Sequence, residues 1–245
     1  MKCKDILIFL HIYKNAGTTI KERYRKNKNY IFKHDDLEKI FLFPDLKYIQ
    51  NLKNVFESII LAGHAVKFNN VLEENFNDAN ISYVTTLREP LERIVSAYNY
   101  YKFKLYTEHN IVSKIDIIEW FIIFKLESTI HLGGLFQYEL FLNHIPLHKR
   151  SITLATEVIK KYNIKILFTD DKDWLNKFDN IVIEKNINCN PKIDEVHSNT
   201  SVSRSALIDN ISINDLTLCK KNFLLKYLKD EYIFYNNMKE KYGNR

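Results

Sequence analysis

The sequence predicts an α/β fold built on a mainly parallel sheet flanked by helices. Three observations carry that expectation. Short, nearly continuous apolar runs recur along the chain, as in strands buried on both faces. Segments with helical spacing of apolar residues lie between them, the alternation that builds parallel sheets. Glycine and proline, five and four residues, are too scarce for a loop-rich or disordered chain.

The first apolar run is ILIFLH, Ile6–His11, and reads as the first strand. Thr18–Lys28 is polar and lysine-rich and reads as the start of a helix. SIILAG (Ser58–Gly63), SYVTTL (Ser82–Leu87) and IKILFT (Ile164–Thr169) are further strands. Pro90–Tyr106 places Leu91, Ile94, Val95 and Tyr98 on one helical face, with Pro90 at the first helical position, where its missing N–H costs little. Asp116–Glu127 is more apolar and reads as a buried helix or a partner surface, and Ser151–Tyr162 and Asp215–Tyr242 read as further helices. No repeat, linker or boundary interrupts the series, so residues 1–245 are expected to form a single domain.

Hydrophobic residues make up 46% and charged residues 27%, which requires a folded core. The net charge of +6 favours anionic ligands, but it is spread along the chain rather than gathered in a stripe, which argues against nucleic acid as a partner. No run of about 18 apolar residues offers a membrane span. The opening MKCKDILIFLHIY is interrupted by His11 and reads as a strand rather than a signal peptide, so the chain as given is expected to be soluble and cytoplasmic. Cys3, Cys189 and Cys219 are far apart and show neither metal spacing nor a disulfide framework.

In open parallel sheets, ligands bind beyond the carboxyl ends of the strands. The first strand runs into His11 and Lys14, the second into His64 and the third into Arg88. These distant residues are predicted to meet on one edge. LHIYKNAGTTI, Leu10–Ile20, has the strand–turn–helix context of a phosphate loop. It is not the common GxxxxGK[ST], which sets its lysine beside the final hydroxyl; here Lys14 comes first, and Gly17, Thr18 and Thr19 follow. Gly17 would let the backbone turn, and the N–H groups from Asn15 and Ala16 to Thr19 would face an anion at the helix N-terminus. The alternative is an ordinary turn with threonine as the helix cap.

LHIYKNAGTTI resembles the 5′-phosphosulfate loop of sulfotransferases that use PAPS (3′-phosphoadenosine 5′-phosphosulfate). It is most similar to carbohydrate sulfotransferases related to the heparan sulfate 2-O-sulfotransferase, where the loop commonly reads H-x-P-K-T-[GA]-G-[TS]-[TS]. Tyr13 stands in place of the usual proline and Asn15 in place of the usual threonine, offering an amide donor instead of a hydroxyl. TLREPLERIVSAYNYY, Thr86–Tyr101, resembles the same family's 3′-phosphate motif, R-[DE]-P-x-x-R-x-x-S-x-Y, through Arg88, Glu89, Pro90, Arg93, Ser96 and Tyr98. A guanidinium grips a phosphate with two parallel hydrogen bonds, and a serine further along the helix reaches it from the side. Arg93 either joins that site or pairs with Glu89 one turn back, the structural role being favoured, and Tyr98 is expected in the core.

Gly63–His64 matches the family's Gly-His pair, which supplies the proton acceptor, and a histidine has a pKa suited to that task. A structural histidine is the alternative. His11 is either a neighbour of the phosphate or packs under the loop, the latter being favoured. HSNTSVSRSAL, His197–Leu207, reads by composition as a solvated loop, and the resemblance assigns Ser203 and Arg204 to a late loop that closes over the nucleotide. The terminal LLKYLKDEYIFYNNMKEKY is similar to the family's closing helix, with its D-x-x-x-[FY]-Y arrangement.

The resemblance implies a P-loop-type sulfotransferase fold, PAPS as donor, PAP as product, no metal, and a carbohydrate or polysaccharide hydroxyl as acceptor. It implies catalytic roles for His64 and Lys14, and nucleotide binding by Lys14, Asn15, Ala16, Gly17, Thr18, Thr19, Arg88, Ser96, Ser203 and Arg204. Two alternatives stand beside it. A P-loop kinase shares the loop logic but needs a GK[ST] and an acidic Mg²⁺ partner that the sequence does not display. A non-catalytic nucleotide-binding protein would leave His64 structural.

Overall fold

The computed structural model describes residues 3–63, 66, 71–123, 137–142, 149–189 and 208–243. Among them, the strands are β1 (Asp5–Leu10), β2 (Tyr30–Ile31), β3 (Ser58–Gly63), β4 (Asn80–Leu87) and β5 (Lys165–Phe168). They form one sheet in the order β2-β3-β1-β4-β5, every pair parallel. The helices are α1 (Gly17–Tyr24), α2 (His34–Phe41), α3 (Leu46–Val55), α4 (Val71–Asn75), α5 (Pro90–His109), α6 (Ile152–Lys161), α7 (Trp174–Glu184), α8 (Leu218–Tyr227) and α9 (Lys229–Tyr242).

β1 shows why a continuous apolar run was needed. Its residues alternate between two cores because successive strand side chains point to opposite faces. Ile6, Ile8 and Leu10 join the core formed with Leu37 and Ile40 of α2, Ala155 of α6 and Phe234 of α9. Leu7 and Phe9 face the other way, onto Ile20 and Tyr24 of α1 and Phe178 of α7. All five are essentially inaccessible to solvent, and each buried side chain of this size contributes about 1.5–3 kcal/mol. A third apolar cluster gathers Leu91, Ile94, Val95 and Tyr98 of α5 with Trp120, Leu224 and Leu228.

The strands expected at Ser58–Gly63 and near Ile6, Ser82 and Ile164 are all present, shifted by at most two residues at an end. β2 was missed, because two residues carry no period. Residues 117–123 are helical, and the rest of the helix expected at Asp116–Glu127 lies outside the described residues. The helix expected over Asp215–Tyr242 is two helices: α8 and α9 break at Leu228, which turns at φ −90°, ψ 9° and is wholly buried. Packing at that corner overrides a helical pattern that runs through it. α5 ends at Asn110, whose left-handed φ of 55° closes the last turn. Cys3 and Cys189 are buried and Cys219 is exposed; burial pushes the first two thiols up to about 11, away from thiolate chemistry. Among the described residues, no helix is long and apolar enough to cross a membrane.

Candidate functional site

From β1 the chain runs to β2 and β3 on one side of the sheet, and from β4 to β5 on the other. The reversal opens a crevice beyond the carboxyl ends of β1 and β4, where such folds bind ligands. The loop after β1 and the residues after β4 form its two lips.

The first lip is stapled to β4. Thr85 Oγ1 donates to the Leu10 carbonyl at 2.8 Å, and Thr86 Oγ1 donates to the Asn15 carbonyl. Lys14 and Ala16, on either side of Asn15, are both left-handed, with φ of 65° and 61°. Such conformations cost non-glycine residues on the order of 1–3 kcal/mol and persist where the surroundings over-determine them. Asn15 supplies that anchor. It is fully buried, its N–H donates to the Ile12 carbonyl at 3.1 Å, and its side-chain amide donates to the Thr86 carbonyl at 2.8 Å and to Gln137. Asn15 was expected to offer its amide to the nucleotide; the structure instead turns that amide into the protein, where it sets the shape of the loop.

Gly17 is required for a different reason from the one expected. The left-handed positions are its neighbours, whereas a Cβ on Gly17 itself would lie 1.8 Å from His11 Nε2. The His11 ring stacks on Phe9 at 5.9 Å and 25°, lies against Gly17 and also lines the cavity described below. Ala16, not a threonine, is the cap residue of α1, and its methyl side chain offers no acceptor to the helix. The first turn carries no acidic residue. Thr19 and Ile20 N–H turn back on the Ala16 carbonyl. A helix end whose own cap residue offers no acceptor suits an anion.

On the second lip, Arg88 follows β4 and Ser96 lies in α5. Arg88 Nε stands 3.5 Å from Glu92 Oε2, a contact between partly exposed groups that contributes little but orients the guanidinium. Arg93 does not pair with Glu89. It is buried and meets Glu231 of α9 at 3.4 Å, while Glu89 caps α5 by accepting from the Glu92 N–H at 2.6 Å. Burial pushes the Glu231 carboxyl above its ordinary range and the Arg93 guanidinium below its own, each partly offset by the other's charge. Tyr98 is buried, as expected, with its hydroxyl donating to the Ile115 carbonyl at 2.7 Å.

Between the lips lies a cavity of about 850 Å³. Lys14, Ala16, Gly17, Thr18, Thr19, Arg88 and Ser96 all line it; Asn15 does not. His64, Ser203 and Arg204 lie outside the described residues. Sequence reasoning overlooked several lining groups. Tyr100, one turn beyond Ser96, carries Lys14 Nζ 4.1 Å above its ring centroid. Tyr13 meets Tyr100 edge-on at 6.0 Å. Trp174 opens α7 at the cavity wall, and residues 210–214 form another wall. Asn99 holds that wall through two bonds with Ile211, its amide donating to the carbonyl at 2.7 Å and its oxygen accepting from the N–H at 3.1 Å. The i+4 spacing of Ser96 and Tyr100 was the one readable signal; the other contacts join distant segments.

The architecture is the P-loop-type sulfotransferase fold. A sulfotransferase from Alicyclobacillus acidocaldarius matches it with a TM-score of 0.54 at 10% identity, over 94% of this chain and 93% of that one. Mouse sulfotransferase SULT7A1, complexed with PAP, matches with a TM-score of 0.50 at 13% identity, over 100% of this chain and 90% of that one. At these identities the likeness is one of fold. No family model matches the sequence, and no curated protein matches it significantly.

Proposed function

We propose that the chain is a PAPS-dependent sulfotransferase that moves a sulfuryl group to a hydroxyl of a carbohydrate or polysaccharide acceptor. The observation that carries this reading is the meeting of two separate motifs on one cavity. Lys14, Gly17, Thr18 and Thr19 form one lip and Arg88 and Ser96 the other. Two cationic side chains, a helix end whose cap residue offers no acceptor and three hydroxyls suit a ligand with phosphate at both ends.

PAPS, when bound, supplies the sulfuryl group and a phosphate leaving group. In this reading the α1 N-terminus and Thr18 hold the 5′ end, and Arg88 and Ser96 hold the 3′-phosphate. His64 takes the acceptor's hydroxyl proton as that oxygen bonds to sulfur. Lys14 opposes the charge left on the phosphate oxygen as its bond to sulfur breaks. A donor placed where charge develops is typically worth about 10²–10³ in rate. The carbohydrate acceptor rests on the resemblance of the two motifs to that branch of the family.

The test has two stages. Calorimetry of the full chain should show binding of PAP and none of comparable strength for ATP with Mg²⁺. Incubation with ³⁵S-labelled PAPS and a panel of glycans should then label at least one of them. Tight ATP binding without PAP binding would return the loop to kinase chemistry.

A further inference from the structure

We propose that Gln137 is a positioning residue that keeps the two phosphate-gripping lips in register; the inference rests on the nucleotide reading above. Gln137 opens a short 3₁₀ turn, Gln137–Leu142, and is only 1% exposed. It does not line the cavity, yet its amide touches both lips. Its Oε1 accepts from the Asn15 side-chain amide and from the Arg88 N–H, the latter at 3.0 Å. Its Nε2 donates to the Arg88 carbonyl at 2.9 Å. Arg88 is thus held on both sides of its Cα by one side chain. Asn15, between the left-handed Lys14 and Ala16, is held by the same oxygen.

Gln137 is itself fixed by α9. Its N–H donates to both carboxylate oxygens of Glu231, at 3.0 and 2.8 Å, and Glu231 pairs with the buried Arg93 of α5. The chain of contacts runs from the first loop through Gln137 to the backbone of Arg88, and from Gln137 through Glu231 to the helix that carries Ser96. A buried side chain joined this way fixes distance as well as fold, because each bond is lost if either lip moves. A ligand gripped at two ends needs that distance to match its own length.

The experiment measures affinities of the full chain for PAP, adenosine 5′-phosphate and adenosine 3′-phosphate by calorimetry, using competition for weak ligands, with folding checked by circular dichroism. In Gln137→Met, similar in length but without the amide, PAP affinity should fall about tenfold or more. The advantage of PAP over adenosine 5′-phosphate should shrink with it. A general loosening would instead lower all three ligands by one factor, and that result, or unchanged PAP affinity in a folded variant, overturns the proposal. Should Gln137→Met fail to fold, Asn15→Ala severs the same chain at the loop. There the advantage of PAP over adenosine 3′-phosphate should shrink, and unchanged PAP affinity again overturns the proposal. A wild-type chain that binds none of the three sinks the nucleotide reading first and this inference with it. A wild-type chain that binds PAP while both variants match it sinks the inference alone.

Discussion

The ammonium of Lys14 rests 4.1 Å above the ring centroid of Tyr100. One residue comes from a left-handed position in the first loop, the other from α5 one turn past Ser96. A cation over an aromatic face gains about 0.5–2 kcal/mol, depending on how far it is desolvated. The contact brings the loop's only lysine over the helix that carries Ser96. Tyr100→Phe keeps the ring and should turn over close to wild type. Tyr100→Leu should lower kcat by up to about 30-fold, the rate equivalent of ~2 kcal/mol, with a much smaller change in PAP affinity. Equal kcat for the two variants would remove Tyr100 from the positioning of Lys14.

Gly17 and His11 form a second testable pair. A methyl group on Gly17 would drive into the His11 ring, and overpacking of this kind costs roughly 1–3 kcal/mol. Gly17→Ala should therefore lower the thermal midpoint and weaken PAP binding. His11→Ala vacates the space, so the double variant should recover most of the lost midpoint. A double variant as unstable as the sum of the two single ones would show that the clash is not the reason for the glycine.

Arg88 and His64 should separate binding from turnover. Removing a charged hydrogen-bond donor costs about 1.5–3 kcal/mol, so Arg88→Ala should weaken PAP by roughly 10–150-fold. His64→Ala should leave PAP affinity intact and lose turnover by about 10²–10⁴-fold, the usual range for a general base. The paired measurement is calorimetry for the nucleotide and a single-turnover sulfate-transfer assay. Normal turnover in His64→Ala would exclude it as the base.

Acid stability should report the tie between the end of β5 and α9. Asp170 accepts from Tyr235 Oη at 2.7 Å and from Lys239. Burial alone would raise its carboxyl, but the bonds from Lys239 and Tyr235 outweigh burial and hold it below its ordinary 3.8. A depressed folded pKa gives stability that is fully present above the unfolded value and fades as pH falls through the folded one. The stability difference between wild type and Asp170→Asn, from urea titrations, should be level down to about pH 5 and narrow below about pH 4. A gap unchanged at pH 3 would rule out this carboxylate as the source.

How far the chain could be read depends on how far apart the cooperating residues lie. ILIFLHIYKNAGTTI holds a strand, a turn and a helix start in one stretch, so that succession was visible in order. Arg88 and Ser96 share a strand end and the next helix, and their spacing survives folding intact. Asn15 was misread because its type admits two roles, ligand donor or internal anchor, and its partners Thr86 and Gln137 lie 71 and 122 residues away. Arg93 was left between the phosphate site and a pairing with Glu89, since Glu89 was near in sequence and its observed partner Glu231, 138 residues on, was not.

Local order, then, already specified a parallel α/β sheet and a strand–turn–helix loop at its edge, because strand burial and helix-terminus geometry are short-range properties written in consecutive residues. Which loop residues face the cavity, why its glycine is obligatory, and how its lysine is held were settled by folding. Those features depend on a histidine ring, a tyrosine face and a buried amide that reach the loop only when β1, β4, α5 and the 3₁₀ turn at Gln137 pack together. No periodicity encodes such contacts, because each joins residues with no shared turn or strand.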